Sequence, residues 1–427
     1  MNFPYKHIHF IGIGGIGMSA LARYFHFHKV RVTGSDLGIS QIAEGLQKEG
    51  ITVHGQQVGE NIIADIDCIV YTLAIPKTNP EFIAAQKSGV PMFTYAEMLG
   101  RVSENSFTIA ISGTHGKTTT TGMIASTLKA AGKNPNVIVG SLLVEGRSNF
   151  VPGTDNMFVV EACEYKRSFL NLHPNIVVIT NIEEDHLDYY KDLADIQSAF
   201  ISLCEKLPVD GKIVCDASAP NLAPIVAKFP DKIVGYADFV AQVPELMVFG
   251  AHNIQNGAAA LAVAQTLSLD MKRASEGLAG FRGTWRRLEF KKKLQHGALL
   301  YDDYGHHPTE ISVTLDALRG KFADKKIFVV FQPHLYSRTK SFFNEFAEVF
   351  ARKADHVILT PIYAAREIDD GSVSSLMFAE KINEMGGHAE HLLNTQDLIA
   401  KVGQLDASWV VLLLGAGEAY LLADVLR

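Results

Sequence analysis

"FTIAISGTHGKTTTTGMIASTLKAAG" (residues 107–132) decides how the middle of this 427-residue chain folds. An apolar run of strand character ends at Ser112, a turn with two glycines follows, and Lys117 opens a stretch of helical spacing. Strand, glycine turn and helix form the setting in which backbone N–H groups at a helix N-terminus hold phosphate oxygens. The common phosphate loop reads G-x-x-x-x-G-K-[ST]. Here the first position of that pattern is Ile111, so the match is to a shorter loop bounded by Gly113 and Gly116, with Thr114 and His115 between them. In such a loop Lys117 reaches the β and γ phosphates of a nucleoside triphosphate, and the Thr118 hydroxyl, followed by Thr119, ligates Mg²⁺.

Upstream, "HIHFIGIGGIGMSALARYF" (residues 7–25) repeats the strand–turn–helix plan, with Met18, Leu21, Ala22 and Phe25 on one helix face. Gly12, Gly14 and Gly17 make G-x-G-x-x-G, and Asp36 ends the next strand. The glycines let N–H groups approach a diphosphate while the carboxylate takes ribose hydroxyls. By itself the motif does not choose between NAD and another diphosphate, and a tight turn without ligand is the bland reading. The runs "VRVTGSD", "CIVYTLAI" and "PMFTY" then predict a parallel sheet covered on both sides.

Downstream, Glu161 follows one expected strand, and Glu183, Glu184, Asp185, His186 and Asp188 follow the next. A carboxylate and an imidazole from neighbouring strand ends suit a second divalent ion, with a solvated acidic cluster as the rival. Cys163 reads as a small packing residue rather than a nucleophile. "AHNIQNG" puts His252, Asn253 and Asn256 at the start of an alanine-rich helix, where N-capping is the simple explanation. Arg286 and Arg287 read either as salt-bridge residues or as guanidinium clamps for phosphate. "YDDYGHHPTE" and "FQPHLYSRT" follow two apolar runs taken as adjacent strands. They are expected to bring Asp303, His306, His307, His334 and Arg338 to one sheet edge, Arg338 suiting a substrate carboxylate.

The three series give an α/β chain of three domains, residues 1–105, 106–281 and 282–427, with a polar interval at 216–250. Length supports this, since a single core seldom grows to such a size. A net charge of -7 carries no electrostatic footprint for nucleic acid. Four cysteines without C-x-x-C spacing fit reduced thiols, and no apolar window is long enough for a membrane span. The expectation is a soluble cytoplasmic protein.

Taken together, "HFIGIGGIGMSAL", "GTHGKTTTT", "TNIEEDHLDYY", "AHNIQNGAAALAVA", "DDYGHHPTE" and "FQPHLYSRT" resemble the Mur ligase family over nearly the whole chain. The resemblance implies three domains: a Rossmann-like one for the UDP-sugar, a central phosphate-loop one for ATP, and a C-terminal Rossmann-like one for the amino acid. The implied substrates are UDP-N-acetylmuramate and L-alanine, joined with ATP and Mg²⁺ through an acyl phosphate in peptidoglycan precursor synthesis, by a monomer or homodimer. It assigns Gly12, Gly14, Gly15, Ile16, Gly17 and Asp36 to the UDP-sugar. Gly113, Thr114, His115, Gly116, Lys117, Thr118, Thr119, Asn253, Arg287 and Asp303 fall to ATP. Thr118, Glu161 and His186 fall to metal, and His306, His334 and Arg338 to the amino acid. Lys117, Glu161, His186, His306 and Arg338 are the implied catalytic set. The chain departs from the family's pattern at Cys163, Lys166 and Arg167, where "EADESDGSFL" is usual, at Leu335 and Arg366, and in a short 216–250 interval. These departures bear on amino-acid choice. The alternatives are a related ligase adding another amino acid or a recycled peptide, an NAD-dependent oxidoreductase, and a non-catalytic UDP-sugar-binding protein.

Overall fold

The apolar runs form strands of three separate sheets, and most strand residues are buried on both faces. Residues 4–144, 147–187, 189–365 and 367–426 are described by the structure, a computed structural model. Asp188 and Arg366 therefore lie outside the described residues.

The first sheet contains β1 (His7–Ile11), β2 (Arg31–Ser35), β3 (Thr52–His54), β4 (Cys68–Tyr71) and β5 (Met92–Thr94), in the order β3-β2-β1-β4-β5. All its pairings are parallel. The second contains β6 (Phe107–Ser112), β7 (Asn136–Ile138), β8 (Phe150–Val151), β9 (Met157–Glu161), β10 (Ile176–Ile179), β11 (Lys212–Cys215) and β12 (Ile233–Gly235). Its order is β12-β11-β10-β6-β9-β7-β8, antiparallel only at β7–β8. The interval 216–250, expected to be merely polar, supplies the edge strand β12 and the short helix Ala223–Lys228. The third contains β13 (Glu289–Lys293), β14 (Leu299–Asp303), β15 (Lys326–Phe331), β16 (His356–Leu359), β17 (Ala389–His391) and β18 (Trp409–Leu414), ordered β13-β14-β18-β15-β16-β17. The lysine-rich β13 is its antiparallel edge, and charged side chains there discourage pairing with another chain.

The chain divides into two compact units, residues 1–247 with 254–282 and residues 248–253 with 283–427. The first unit holds two sheets, and their junction is polar as well as aromatic. Asn149, fully buried, donates to Ile16 O at 2.7 Å and Ser19 Oγ at 2.8 Å, and accepts from Arg23 Nη1 at 2.6 Å. Beside it the Tyr24 ring packs against Phe150 and Phe158, each with centroids 5.8 Å away. The helix Ile16–Phe27 is thereby fastened to the second sheet in the turn that follows the glycine loop.

Within the first sheet a chain of buried polar groups crosses the strands. Thr33 Oγ1 lies 2.9 Å from His7 Nε2 and 2.8 Å from His9 Nδ1, and His9 Nε2 lies 3.0 Å from Glu81 Oε1. Glu81 also accepts from Asn61 Nδ2 at 2.8 Å and from Ser35 Oγ. Buried polar groups persist only when partnered, so this chain fixes β1, β2 and the helix Pro80–Ser88 to one another. No helix among the described residues is long and apolar enough to cross a membrane.

Candidate functional site

Gly12, at the C-terminal end of β1, begins the loop to the helix Ile16–Phe27, which no side chain caps. The first-turn N–H groups of a helix left in this way are ready donors for an anion. Asp36 Oδ2 accepts from Gly14 N at 2.7 Å and its Oδ1 from Leu37 N at 2.7 Å, so the carboxylate braces the loop and keeps lone pairs for hydroxyls. Gly17 is required by close approach: a Cβ there would stand 2.7 Å from Cζ of Tyr95, whose ring fills that space. Gly12, Gly15, Asp36, Leu37, Gln57 and Thr72 are among the residues lining a cavity of about 520 Å³ at these strand ends. All six residues assigned to the UDP-sugar belong to this loop or its flank.

The second loop is lashed to the segment after β10. Thr114 N donates to Asn181 O at 3.1 Å, His115 N to Asn181 Oδ1 at 2.9 Å, and Glu183 N to Thr114 Oγ1 at 2.8 Å. Gly116, with φ at +82°, turns the chain into the helix Lys117–Ala130 and again leaves its N-terminus without a side-chain cap. Lys117 Nζ folds back to donate to Gly113 O at 2.5 Å and Thr114 O at 3.1 Å, and pairs with Glu164 at 3.0 and 3.1 Å. Burial alone would lower the lysine's pKa, but the Glu164 carboxylate outweighs it and holds the ammonium above its ordinary value. Burial likewise works to raise the pKa of Glu164, yet Lys117 and His186 together hold it below the usual carboxylate range.

β6 and β9 run parallel with Ile111 opposite Glu161, which carries that carboxylate to the loop. Thr118 Oγ1 donates to Glu161 Oε2 at 3.1 Å, and Glu161 Oε1 accepts from Gly140 N at 2.6 Å. Neighbouring ligands on an octahedral Mg²⁺ with bonds of about 2.1 Å stand about 3.0 Å apart. The Thr118 and Glu161 oxygens are therefore hard donors at a fitting separation. His186, at φ +54°, directs Nε2 to within 3.5 Å of Glu164 Oε1. Asp185 Oδ2 lies 3.7 Å from the same nitrogen, so two acids that the sequence reading did not pair with this imidazole flank it. Cys163 has an exposed surface and does not serve as packing. It sits among dense protein atoms, and burial together with Glu164 pushes its thiol up to about 11, which leaves little thiolate.

In the other unit, the helix starting at Ala251 takes in His252 and Asn253 as first-turn residues rather than caps. Asn253 Nδ2 donates back to Phe249 O at 2.9 Å. Asn256, assigned to the first unit, lies a turn further on, where its Oδ1 would stand 2.8 Å from a Cβ at Gly116. Arg286 and Arg287 part company. Arg286 is buried, donating to Asp302 Oδ2 at 3.2 Å and to the carbonyls of Gly415 and Gly417, whereas Arg287 lies 3.7 Å from Glu310. Asp303 accepts from Gly305 N and Leu288 N, both at 2.7 Å.

β14 and β15 are not neighbours as expected: β18 lies between them. The loops beyond them nonetheless meet over the glycine turn that follows β18, with the His306 and His334 rings 6.0 Å apart. His306 Nδ1 stands 3.0 Å from Tyr304 O, and Arg338 Nη1 is 3.4 Å from His334 Nδ1. Tyr363 lies nearly parallel to His334 at 5.7 Å. His307 leaves the group, since its Nδ1 caps the helix Pro308–Lys321 and its ring packs on Phe342 at 4.7 Å. Leu335 caps the helix Tyr336–Ser341 with φ at +69° and is buried.

Residues 7–106 match the family model described as Mur ligase family, catalytic domain, residues 111–243 that of the Mur ligase middle domain, and residues 286–417 that of the Mur ligase, glutamate ligase domain. The chain belongs to the Mur ligase family. A UDP-N-acetylmuramate--L-alanine ligase of Lachnospira eligens is 41% identical over 423 residues, covering 92% of this chain and 91% of the relative. The crystal structure of the UDP-N-acetylmuramate-alanine ligase from Thermotoga maritima superposes with a TM-score of 0.80 at 28% identity, over 98% of both chains. A Mycobacterium tuberculosis folylpolyglutamate synthase complexed with ADP shares the fold, with a TM-score of 0.59 at 17% identity over 77% of this chain and 92% of that one.

Sequence reasoning missed Glu164, Tyr95, Tyr363 and the Gly415–Gly417 turn. Glu164 had a signal in "EACE", a second acid within reach of the same strand end. Tyr95 had none, because its partner Gly17 is remote in sequence.

Proposed function

We propose that this chain joins L-alanine to the lactyl carboxylate of UDP-N-acetylmuramate, with ATP hydrolysed to ADP and phosphate. The observation that carries the reading is the presence in one compact unit of a cavity at the first glycine loop and of a second, uncapped glycine loop whose Thr118 oxygen stands 3.1 Å from Glu161. An oxidoreductase has no use for the second loop, and a mere sugar-binding protein has no use for Lys117 or Glu161.

In this reading residues 1–105 hold the nucleotide-sugar, 106–281 the triphosphate and 282–427 the amino acid. Lys117 exchanges Glu164 and its own loop carbonyls for phosphate oxygens, and so screens the repulsion between the attacking carboxylate and the γ-phosphate. Thr118 and Glu161 would hold Mg²⁺, with His186 as a further ligand on this side of the loop, and the ion would supply further charge neutralisation. The carboxylate oxygen displaces ADP to give an acyl phosphate. The alanine amine then attacks its carbonyl carbon, phosphate leaves, and the amine's surplus proton passes to solvent or a nearby base. Arg338 holds the alanine carboxylate, with His306 and His334 beside it.

The test is phosphate release from ATP, Mg²⁺ and UDP-N-acetylmuramate with and without L-alanine, followed by glycine, serine and a murein tripeptide in its place. Release that requires L-alanine is expected. Absence of any amino-acid-dependent release would overturn the reading, and preference for the peptide would transfer it to a recycling ligase.

A further inference from the structure

We infer that Gln57 reads the base of the nucleotide-sugar, donating to a uracil carbonyl and turning away a cytosine amino group; the inference rests on the proposed function.

The first sheet sets out its loop groups in the order of a nucleotide. Gly12 follows β1, Asp36 follows β2, and Gln57 follows β3, and these strands are consecutive neighbours in the sheet. Adjacent strands are spaced about 4.8 Å apart, close to the step from diphosphate to ribose and from ribose to base. With the diphosphate on the glycine loop and the ribose at Asp36, Gln57 stands where the base arrives. It lines the same cavity and is only 6% exposed.

The amide's orientation is fixed by a helix cap. Asn79 Oδ1 accepts from Glu81 N at 3.0 Å and Phe82 N at 3.1 Å, which commits that oxygen to the N-terminus of the helix Pro80–Ser88. Asn79 Nδ2 must then act as the donor, and it donates to Gln57 Oε1 at 2.8 Å. Gln57 is left with its oxygen occupied, and Nε2 is buried without a hydrogen-bond partner among the described residues. Such a buried donor requires an acceptor. Uracil offers a carbonyl at C4, where cytosine carries an NH₂ group. The buried Glu81 chain, Asn61 and the cap hold this wall still, so the donor is presented in one direction.

UDP and CDP binding to the full chain, measured by calorimetry, tests this, with thermal unfolding and ATP binding as folding controls. Wild-type protein is expected to bind UDP about ten-fold or more tightly than CDP. Gln57→Met, similar in shape without polar atoms, weakens UDP about ten-fold and largely abolishes the preference. Asn79→Asp keeps both capping bonds but offers Gln57 an acceptor. The amide then turns over, presents Oε1 to the ligand and shifts the preference towards CDP, which a purely structural role would not do. Equal binding of UDP and CDP by the wild type, or an unchanged preference in folded Gln57→Met or Asn79→Asp, overturns the inference and leaves the proposed function standing. Failure of the wild type to bind either nucleotide overturns both.

Discussion

Replacing Lys117 with methionine separates two roles that the folded chain combines. The Lys117 and Glu164 side chains are 17% and 5% exposed, so the substitution strands a carboxylate almost without solvent. Removing one partner of a buried ion pair costs about 3–5 kcal/mol. His186, 3.5 Å from the same carboxylate, and the hydrogen bonds Lys117 spends on its own loop put the expected loss at about 3 kcal/mol. For a unit of this size that lowers the unfolding temperature by about 6–12 °C. Glu164 has a folded pKa below its unfolded value, so this stability is present above the ordinary carboxylate range and lost as pH falls through the folded pKa. Wild type and variant therefore converge in acid. The double variant Lys117→Met, Glu164→Gln recovers most of the stability at pH 7.5 without recovering phosphate release. Calorimetric unfolding of the full chain from acid to pH 7.5, with the phosphate assay alongside, measures both. A single variant that melts within about 2 °C of wild type at pH 7.5, or a double variant no more stable than the single, would refute the reasoning.

Three further outcomes are expected. Gly17→Ala forces a methyl to 2.7 Å from the Tyr95 ring and costs about 1–3 kcal/mol, a loss relieved in a Tyr95→Ala background, as a double-mutant cycle in urea will report. Asp302 is pushed up to about 7 by burial, against the pull of Arg286; because its folded pKa is raised, its stabilising contribution is full below about pH 4 and is lost as pH rises through 7. Asp302→Asn accordingly flattens that fall in the unfolding temperature between pH 5 and 8. Under the proposed function, Glu161→Gln removes a charged ligand and raises the Mg²⁺ concentration for half-maximal phosphate release about ten-fold or more, with UDP binding unchanged in calorimetry.

The strands and both glycine loops were legible because each is a local pattern: an apolar run, a turn that needs Gly116 at positive φ, and helical spacing. Lys117, Thr118 and Glu161 were legible for the same reason, since strand ends in an open parallel sheet fall on one side. What escaped were pairings that depend on sheet order. "YDDYGHHP" and "FQPHLYSRT" read as neighbours, yet β18, the last strand in sequence, enters between them. Arg286 and Arg287 are alike in sequence. Only the carbonyls of Gly415 and Gly417, well over a hundred residues away, decide that the first is buried as a structural post. His307 differs from His306 by one position and by pointing along the helix end rather than across the sheet. Glu164 escaped because a carboxylate's worth lies in its partner, and Lys117 reaches it only once β6 and β9 are paired.

Asn149 also bears on modularity. The first sheet has the proportions of a self-contained module, yet the helix that follows its glycine loop takes hydrogen bonds from Asn149 and aromatic contacts from Phe150 and Phe158 on the side of the neighbouring sheet. Cut free near residue 105, it would present Tyr24 and the inner face of Arg23 to water and lose the brace on Ile16. The segment that carries the first glycine loop is therefore not a portable part. Its hydrogen bonds are complete only with the second sheet in place, so in dissection or recombination the two should be exchanged as a single piece.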